Sequence, residues 1–587
     1  MMPLAPLDWL IVACYLALSI GIGLYFKERA SSSLNQYFLS NRSFPWWLAG
    51  TSMVATTFSA DTPLAVTGFV AKQGIAGNWF WWVQALSTIT VTFFFARLWR
   101  RSHVLTDVEF LELRYSAKPA AFLRGLSAIY RGLLLAVLKL SWVIVAMQKV
   151  LEPFFGDKTE LALIGTILVV LVYSVLSGYW GVVITDFLQF GIAMAGSIWL
   201  AILALQYVGG IDMLQTKLIA QYGAKEVSDL LAVFPPLDSA WMPPFIIIVY
   251  LGLMWWADAR VEGGAYIAQR LMSAKDERHA TFAALWFNIA HYALRPWPWI
   301  IVALVSMVVW PDLADKESGY PKLMALLSPV GVRGLMITAF FAAFMSTVDT
   351  LVNWASSYLV NDAYKRFWAK EKTTRHYVRV AKCTEVLLLG SAYFLSQYIT
   401  SITFAWKLIV SLTAGLGLVY IARWFWWRVN AWSEVTAMVT SGLATLVLQT
   451  QTGLGFEQSF CITLAVSTAA WITVTFLTPA VSMEQLKIFY RRTRPLGFFW
   501  KPVRRMLPPH EANSPDNFWW SFRCWIWGIV WVYSSLFGIG KWIFGDMRPA
   551  IVLTAVSLGT GLLLWWELKP ATNPQPSTSL SPVLNEE

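Results

Sequence analysis

Apolar runs of about 20 residues recur along almost the whole chain, separated by short links carrying charge, Gly or Pro. A helix rising 1.5 Å per residue needs ~20 apolar residues to cross ~30 Å of hydrocarbon. The spans fall near 8–26, 45–70, 75–98, 122–151, 160–180, 182–208, 241–262, 279–310, 333–360, 376–400, 403–428, 434–451, 458–480, 519–541 and 548–566, about fifteen in all. The expected fold class is therefore all-α, a polytopic membrane protein. A soluble core has no need for so many separate runs of spanning length. Charged residues make up 13% of the chain, about half the ~25% of a soluble domain.

The formal net charge of +11 collects in alternate links. One set holds Arg97, Arg100, Arg101, Arg114, Arg260, Arg270, Lys365, Arg366, Arg423 and Arg428; the opposite set, such as Glu152–Glu160 and Trp310–Tyr320, is poor in Lys and Arg. This alternation places the N-terminus outside and the C-terminus in the cytoplasm of a cell that keeps the protein in its plasma (inner) membrane. Positive charge of this kind is a topology signal, so nucleic acid is not an expected partner. The four Cys are scattered, without metal-site or disulfide spacing. The five His form no cluster with Cys or carboxylates that suggests an embedded enzyme. No GxxxxGK loop signals ATP-driven transport. The last residues, 567–587, have no apolar face and read as a disordered cytoplasmic tail.

Several polar residues sit at mid-membrane depth, where they are costly. "GTSMVATTFSADTPLAVTG" (Gly50–Gly68) combines Thr56, Thr57, Ser59, Asp61 and Thr62 with Pro63, which leaves the carbonyl of Ser59 without its helical donor. Such a break suits a cavity where freed carbonyls meet a cation or solute; a kinked helix packed through small residues is the plain alternative. "AAFMSTVDTLVNWASSYLVND" (Ala342–Asp362) threads Ser346, Thr347, Asp349, Thr350 and Asn353 through an apolar helix. Neutral hydroxyl and carbonyl oxygens suit an alkali cation; close packing of small residues explains them equally. Asp186 is either a station on a cation route or an acid favoured by a helix N-terminus. Arg260 has two candidate partners, Asp258 and Glu262, before a Gly263–Gly264 break. Arg295, between His291 and two prolines, meets an anionic substrate or locks the bundle. Lys139 and Lys407 lie within helices, without an assigned role.

These stretches, in their order, resemble the sodium:solute symporter family. The pieces that carry the likeness are "YSVLSGYWGVVITDFLQ", "GAYIAQRLMSAKD", "GLMITAFFAAFMSTVDTLVNWASSYLVNDAYK" and "YIARWFWWRVNAWSE". The resemblance implies two inverted five-helix repeats, at 45–208 and 241–400. An extra helix and link at 1–44 precede them, and additional helices at 403–566 follow. It implies one sodium ion held by backbone oxygens of Ala55, Phe58 and Ala343 and the hydroxyls of Ser346 and Thr347. Asp186 falls on the family's cytoplasmic ion route, and Asp349 is a candidate second cation ligand. Tyr266 matches an inner-gate aromatic of sugar-transporting relatives. Thr57 and Thr62 replace polar amides of those relatives, and Gly264–Ala265 replaces their Asn-Gln pair, which counts against a hexose. Thr57, Asp61, Thr62, Tyr266 and Arg295 are thus the candidate substrate or gate residues.

The expected activity is sodium-coupled import of a small polar organic solute by alternating access. Arg295 tilts the choice toward a carboxylate. The partners are the solute, the sodium ion and the bilayer, with no obligate protein partner. The rival is a sensor or receptor that keeps the fold and binds solute without moving it.

Overall fold

The computed structural model describes residues 4–30, 39–239 and 241–569. Among them the backbone is helical almost throughout, and strand-like pairing is limited to one bridge between Phe44 and Ala274. Lipid offers no hydrogen bonds, so each spanning segment satisfies its own backbone as a helix. The chain opens with α1 (Pro6–Ala30), followed by α2 (Trp46–Phe58) and α3 (Asp61–Gln73). Next come α4 (Ala136–Phe155), α5 (Thr159–Val208), the short α6 (Tyr266–Ser273), α7 (Pro296–Val309) and the long α8 (Val332–Ser357). Then follow α9 (Thr374–Ser396), α10 (Ile402–Thr413), α11 (Leu416–Phe425) and the terminal pair α12 (Phe518–Ile543) and α13 (Met547–Glu567).

Nine helical runs among the described residues are long and apolar enough to cross a membrane, or up to eleven when two bent pairs each count as one. The chain is an all-α, many-spanning membrane protein. The difference from fifteen has physical causes. The apolar part of α1 is short, Pro6–Ile22. α2 and α3 have 13 residues each. α9 carries Arg379, Lys382 and Glu385. The expected span 122–151 and most of the expected span 160–180 lie within one run, Ala117–Ser174. The expected disordered tail lies, beyond residue 569, outside the described residues.

α5 is 50 residues long, ~75 Å if straight and far beyond a ~30 Å hydrocarbon core. It is not straight. The Tyr173 hydroxyl bonds the Thr185 hydroxyl and reaches the Gly181 carbonyl at 3.3 Å. Residues twelve apart on a straight helix are separated by ~18 Å, beyond one tyrosine side chain. The run is therefore not one straight rod between Tyr173 and Thr185.

Burial separates inner from outer helices. The most apolar window of Val332–Trp368 is 89% buried, against 17% for Met547–Glu567. α13 presents Ile551, Val552, Leu558 and Trp566 outward, as a lipid-facing helix does. Two long links between spans carry helices: Ile211–Tyr222 and Ala224–Leu231 in one, Gly319–Leu327 in the other.

Three cations of the charge tally are not exposed at the membrane surface. Arg114, Arg270 and Arg423 are fully buried. Arg423 pairs with Glu262 and Glu434, and Arg114 donates to the carbonyls of Arg423 and Trp426. A charge tally by position cannot distinguish a cation in a loop from one tucked under it.

Candidate functional site

The site is built around a real interruption between α2 and α3. Ser59 takes φ 39° and ψ 158°, a strained conformation for a residue with a side chain. Helical geometry resumes at Asp61, and Pro63 falls in the first turn of α3, where a missing N–H costs nothing. Ending α2 at Phe58 frees the carbonyls of its last four residues, Ala55 to Phe58. The Thr347 hydroxyl takes the Thr56 carbonyl at 2.9 Å, and the Thr62 hydroxyl takes that of Thr57 at 3.2 Å. The other two are those of Ala55 and Phe58.

α8 thus lies against the broken end of α2. Thr56 and Thr350 also join hydroxyl to hydroxyl at 3.1 Å. Beside them Asp186 accepts from Ser52 and from Ser346, both at 2.5 Å. A serine that donates its proton to a carboxylate keeps its lone pairs free and more negative, which suits a cation ligand. Ala55, Ala343, Ser346 and Thr347 are all buried.

Arg270 completes this cluster. It stands 3.6 Å from Asp186 and donates to Ser52 at 3.1 Å, Thr350 at 2.7 Å, Thr56 at 3.3 Å and the Gln269 side chain at 3.0 Å. Its burial is offset by the paired carboxylate and by these hydroxyl and amide acceptors, as a charge at this depth requires. The sequence-based reading misses this role and counts Arg270 as a link cation. The available signal is spacing: Tyr266 and Arg270, four apart, share one face of α6.

Asp349 lies one turn along α8 and is fully buried. Ser174 stands beside it, and its charged neighbours are the carboxylates of Asp186 and Glu385. Neither Asp349 oxygen has a donor at hydrogen-bonding geometry among the described residues.

A cavity of 220 Å³ opens next to the break, lined by Thr56, Asp61, Lys139, Tyr266, Arg295 and Thr347 among others. It is roomy enough for an organic solute, since a single water needs only about 10–15 Å³ on this measure. Arg295 fixes one wall. Its Nη1 donates to the Val54 carbonyl at 3.0 Å and to Thr57 at 3.3 Å. Its guanidinium lies over Phe58 and Trp299, 5.4 and 5.1 Å from the ring centres. Arg295 thus holds α2 and also lines the cavity, and its Nε and Nη2 have no partner among the described residues. Thr57 also contacts His291 Nδ1 at 2.9 Å, so its hydroxyl orients two cavity side chains.

Tyr266 begins α6 after a bend of 50° that separates 244–257 from 259–273. The break falls at Asp258, whose backbone is extended, and Gly263, at φ +75°, ends the short turn Ala259–Glu262 ahead of α6. Arg260 pairs with Asp258 at 2.7 Å, while Glu262 belongs to Arg423. Lys139 has its ammonium 6.0 Å from the Tyr266 ring centre and 5.5 Å from that of Trp354.

An interrupted helix thus meets a hydroxyl-rich helix beside a solute-sized cavity in a many-spanning membrane protein. The model of the sodium:solute symporter family matches residues 37–440, and the chain belongs to this family. It is similar to the sodium/glucose cotransporter of Vibrio parahaemolyticus, 26% identical over 463 residues that cover 74% of this chain and 83% of that protein. It is similar also to a sodium/mannose cotransporter of Bos taurus, 24% identical over 494 residues, covering 76% and 80%. Among solved structures, a Na+-coupled sialic acid symporter in a substrate-bound outward-open state shares the fold. The TM-score is 0.68, at 19% identity, over 81% of this chain and 99% of that one.

Proposed function

We propose that this protein is a sodium-coupled symporter that imports a small polar organic solute by alternating access. The observation that carries the reading is the Thr347 hydroxyl seated on a carbonyl freed by the break in α2. Sodium takes oxygens from Ala55, Phe58, Ala343, Ser346 and Thr347, and Asp186, bridging Ser52 and Ser346, receives the ion on its way inward. Asp349 supplies a second negative charge to this region. Thr56 and Thr347 also line the cavity, so fixing α2 against α8 with sodium shapes the solute's chamber. Each ligand then favours the other by the same factor. Tyr266, Asp61 and Arg295 face the solute, with Thr57 and Thr62 holding the break.

In this reading the repeats are 45–208 and 241–400, the N-terminus is outside, the C-terminus is cytoplasmic, and the membrane is the plasma (inner) membrane. Each sodium entering across ~100 mV, inside negative, contributes about 2.3 kcal/mol. The relatives' names specify different solutes, glucose, mannose and sialic acid, so none is carried over.

The test titrates purified full-length protein with NaCl, KCl and choline chloride at constant ionic strength, following tryptophan fluorescence and thermal unfolding. Sodium alone is expected to shift both, and Ser346→Ala with Thr347→Ala to abolish the shift. An equal response to potassium would overturn the sodium site. Sodium-dependent solute binding without accumulation in vesicles would return the receptor reading.

A further inference from the structure

The charges around the cavity are unequal, and their free atoms point to a particular kind of solute. Arg260 is neutralised by Asp258 at 2.7 Å, and Arg131, also on the wall, by Asp107 at 2.8 Å. Lys139 and Arg295 have no carboxylate within ion-pair distance among the described residues. Lys139 meets the aromatic faces of Tyr266 and Trp354. Arg295 is fully buried and keeps Nε and Nη2 unpartnered. Against these two cations stands one acid, Asp61, itself 3% exposed. The Trp406 indole donates to its Oδ2 at 2.8 Å. Ser59 and Trp142 stand close by, yet Oδ1 has no donor at hydrogen-bonding geometry.

Each unpartnered group is a cost that a solute can remove. A buried guanidinium nitrogen without an acceptor, or a carboxylate oxygen without a donor, loses its hydration for nothing. One positive charge in excess, in a chamber walled by aromatic rings, favours an anion. The free Asp61 oxygen requires that the same molecule also carry an N–H or O–H donor.

We infer that the solute is a small organic monoanion: a carboxylate received by Arg295 and Lys139, carrying a hydroxyl or ammonium donor that Asp61 accepts. Hydroxy acids, sugar acids and acidic amino acids have this chemistry. Neutral sugars and neutral zwitterions both leave the one excess positive charge in place, and a sugar also brings no carboxylate to Arg295 and Lys139. Simple fatty carboxylates leave Asp61 without a donor. This inference rests on the transport reading above and sharpens it.

The test uses full-length protein in proteoliposomes with sodium outside and an inside-negative potential. Five labelled probes are compared: D-gluconate, L-glutamate, D-glucose, L-alanine and propionate. Gluconate or glutamate is expected to accumulate, with roughly tenfold or greater preference over the other three. Lys139→Gln is expected to weaken uptake of that anion by roughly tenfold, while Asp61→Asn narrows its advantage over propionate. Glucose or alanine accumulating as well as the two anions, or no preference among the five, overturns the inference. The sodium titration of fluorescence is run on the same preparation. If sodium still shifts the wild type and not the Ser346→Ala, Thr347→Ala variant, the solute class alone has failed. If sodium shifts neither, the symport reading has failed with it.

Discussion

Thr347 donates its hydroxyl to the backbone carbonyl of Thr56 at 2.9 Å, across 291 residues of chain. The contact joins two helical stretches that bring hydroxyls and freed carbonyls to the edge of the cavity. Thr347→Val keeps the shape and removes the oxygen, whereas Thr347→Ser keeps the oxygen. Thr347→Val is expected to raise the half-saturating sodium concentration by about tenfold or more, one lost oxygen ligand being worth ~1.4 kcal/mol or more. Thr347→Ser should remain close to wild type. Sodium titrations of both variants, read by fluorescence, check the difference; equal behaviour of Val and Ser would remove Thr347 from the ion site.

Asp186 and Arg270 are both fully buried and 3.6 Å apart. Asp186→Asn leaves the guanidinium without its countercharge, and the expected destabilisation is about 3–5 kcal/mol. Adding Arg270→Gln removes the stranded charge and should recover part of that loss. Thermal unfolding of the single and double variants in detergent measures it. Additive losses would mean that the two groups do not act as a pair.

Glu317 clasps the start of α10. Its carboxylate accepts from the backbone N–H groups of Ile402 and Thr403 at 3.1 and 2.9 Å, from Ser401 at 3.1 Å, and from Lys149 at 2.7 Å. Burial pushes its pKa up, but Lys149 and these donors outweigh burial and hold it below the ordinary 4.5. A depressed folded value means that the clasp's contribution is complete above pH 4.5 and is lost as pH falls through the lower value. Glu317→Gln should lower stability at neutral pH by about 1.5–3 kcal/mol. It should also flatten the acid limb of a stability-against-pH curve. An acid limb identical in wild type and variant would contradict this.

Gly417 meets the backbone of another segment. A Cβ there would stand 2.1 Å from the Trp256 carbonyl oxygen and 2.4 Å from the Ala257 carbonyl carbon. Gly417→Ala is therefore expected to destabilise by about 1–3 kcal/mol or more, since backbone cannot step aside as a side chain can. A Cβ on Gly442, in helix Ala431–Gln451, would meet nothing within 4 Å among the described residues. Gly442→Ala is expected to stabilise by roughly 0.5–1 kcal/mol. Unfolding midpoints of the two variants should thus move in opposite directions.

Much of the site is legible in the sequence, and the reason is local. Pro63 with its hydroxyl neighbours marks the break at Ser59, because the signal lies within five residues. Ser346 and Thr347 stand out in α8 because hydroxyls are conspicuous among apolar neighbours. What escapes depends on distance along the chain. Arg270 reads as a link cation until α5 brings Asp186 beside it. Glu317 lies in the link Trp310–Tyr320, and nothing near it in sequence shows that Lys149 and the start of α10 close around it. The pairing of Arg260 with Asp258, and of Glu262 with Arg423, is open in the sequence because both acids lie two residues from Arg260. Only the position of α11 decides between them.

That position has a mechanical consequence. α11 grips the bent segment at two places, through Gly417 against Trp256 and Ala257, and through Arg423 and Trp424 on Glu262. These two grips lie on either side of Asp258 and Arg260. A change in the angle of the bend therefore requires α11 to move with it, or one of the two grips to open.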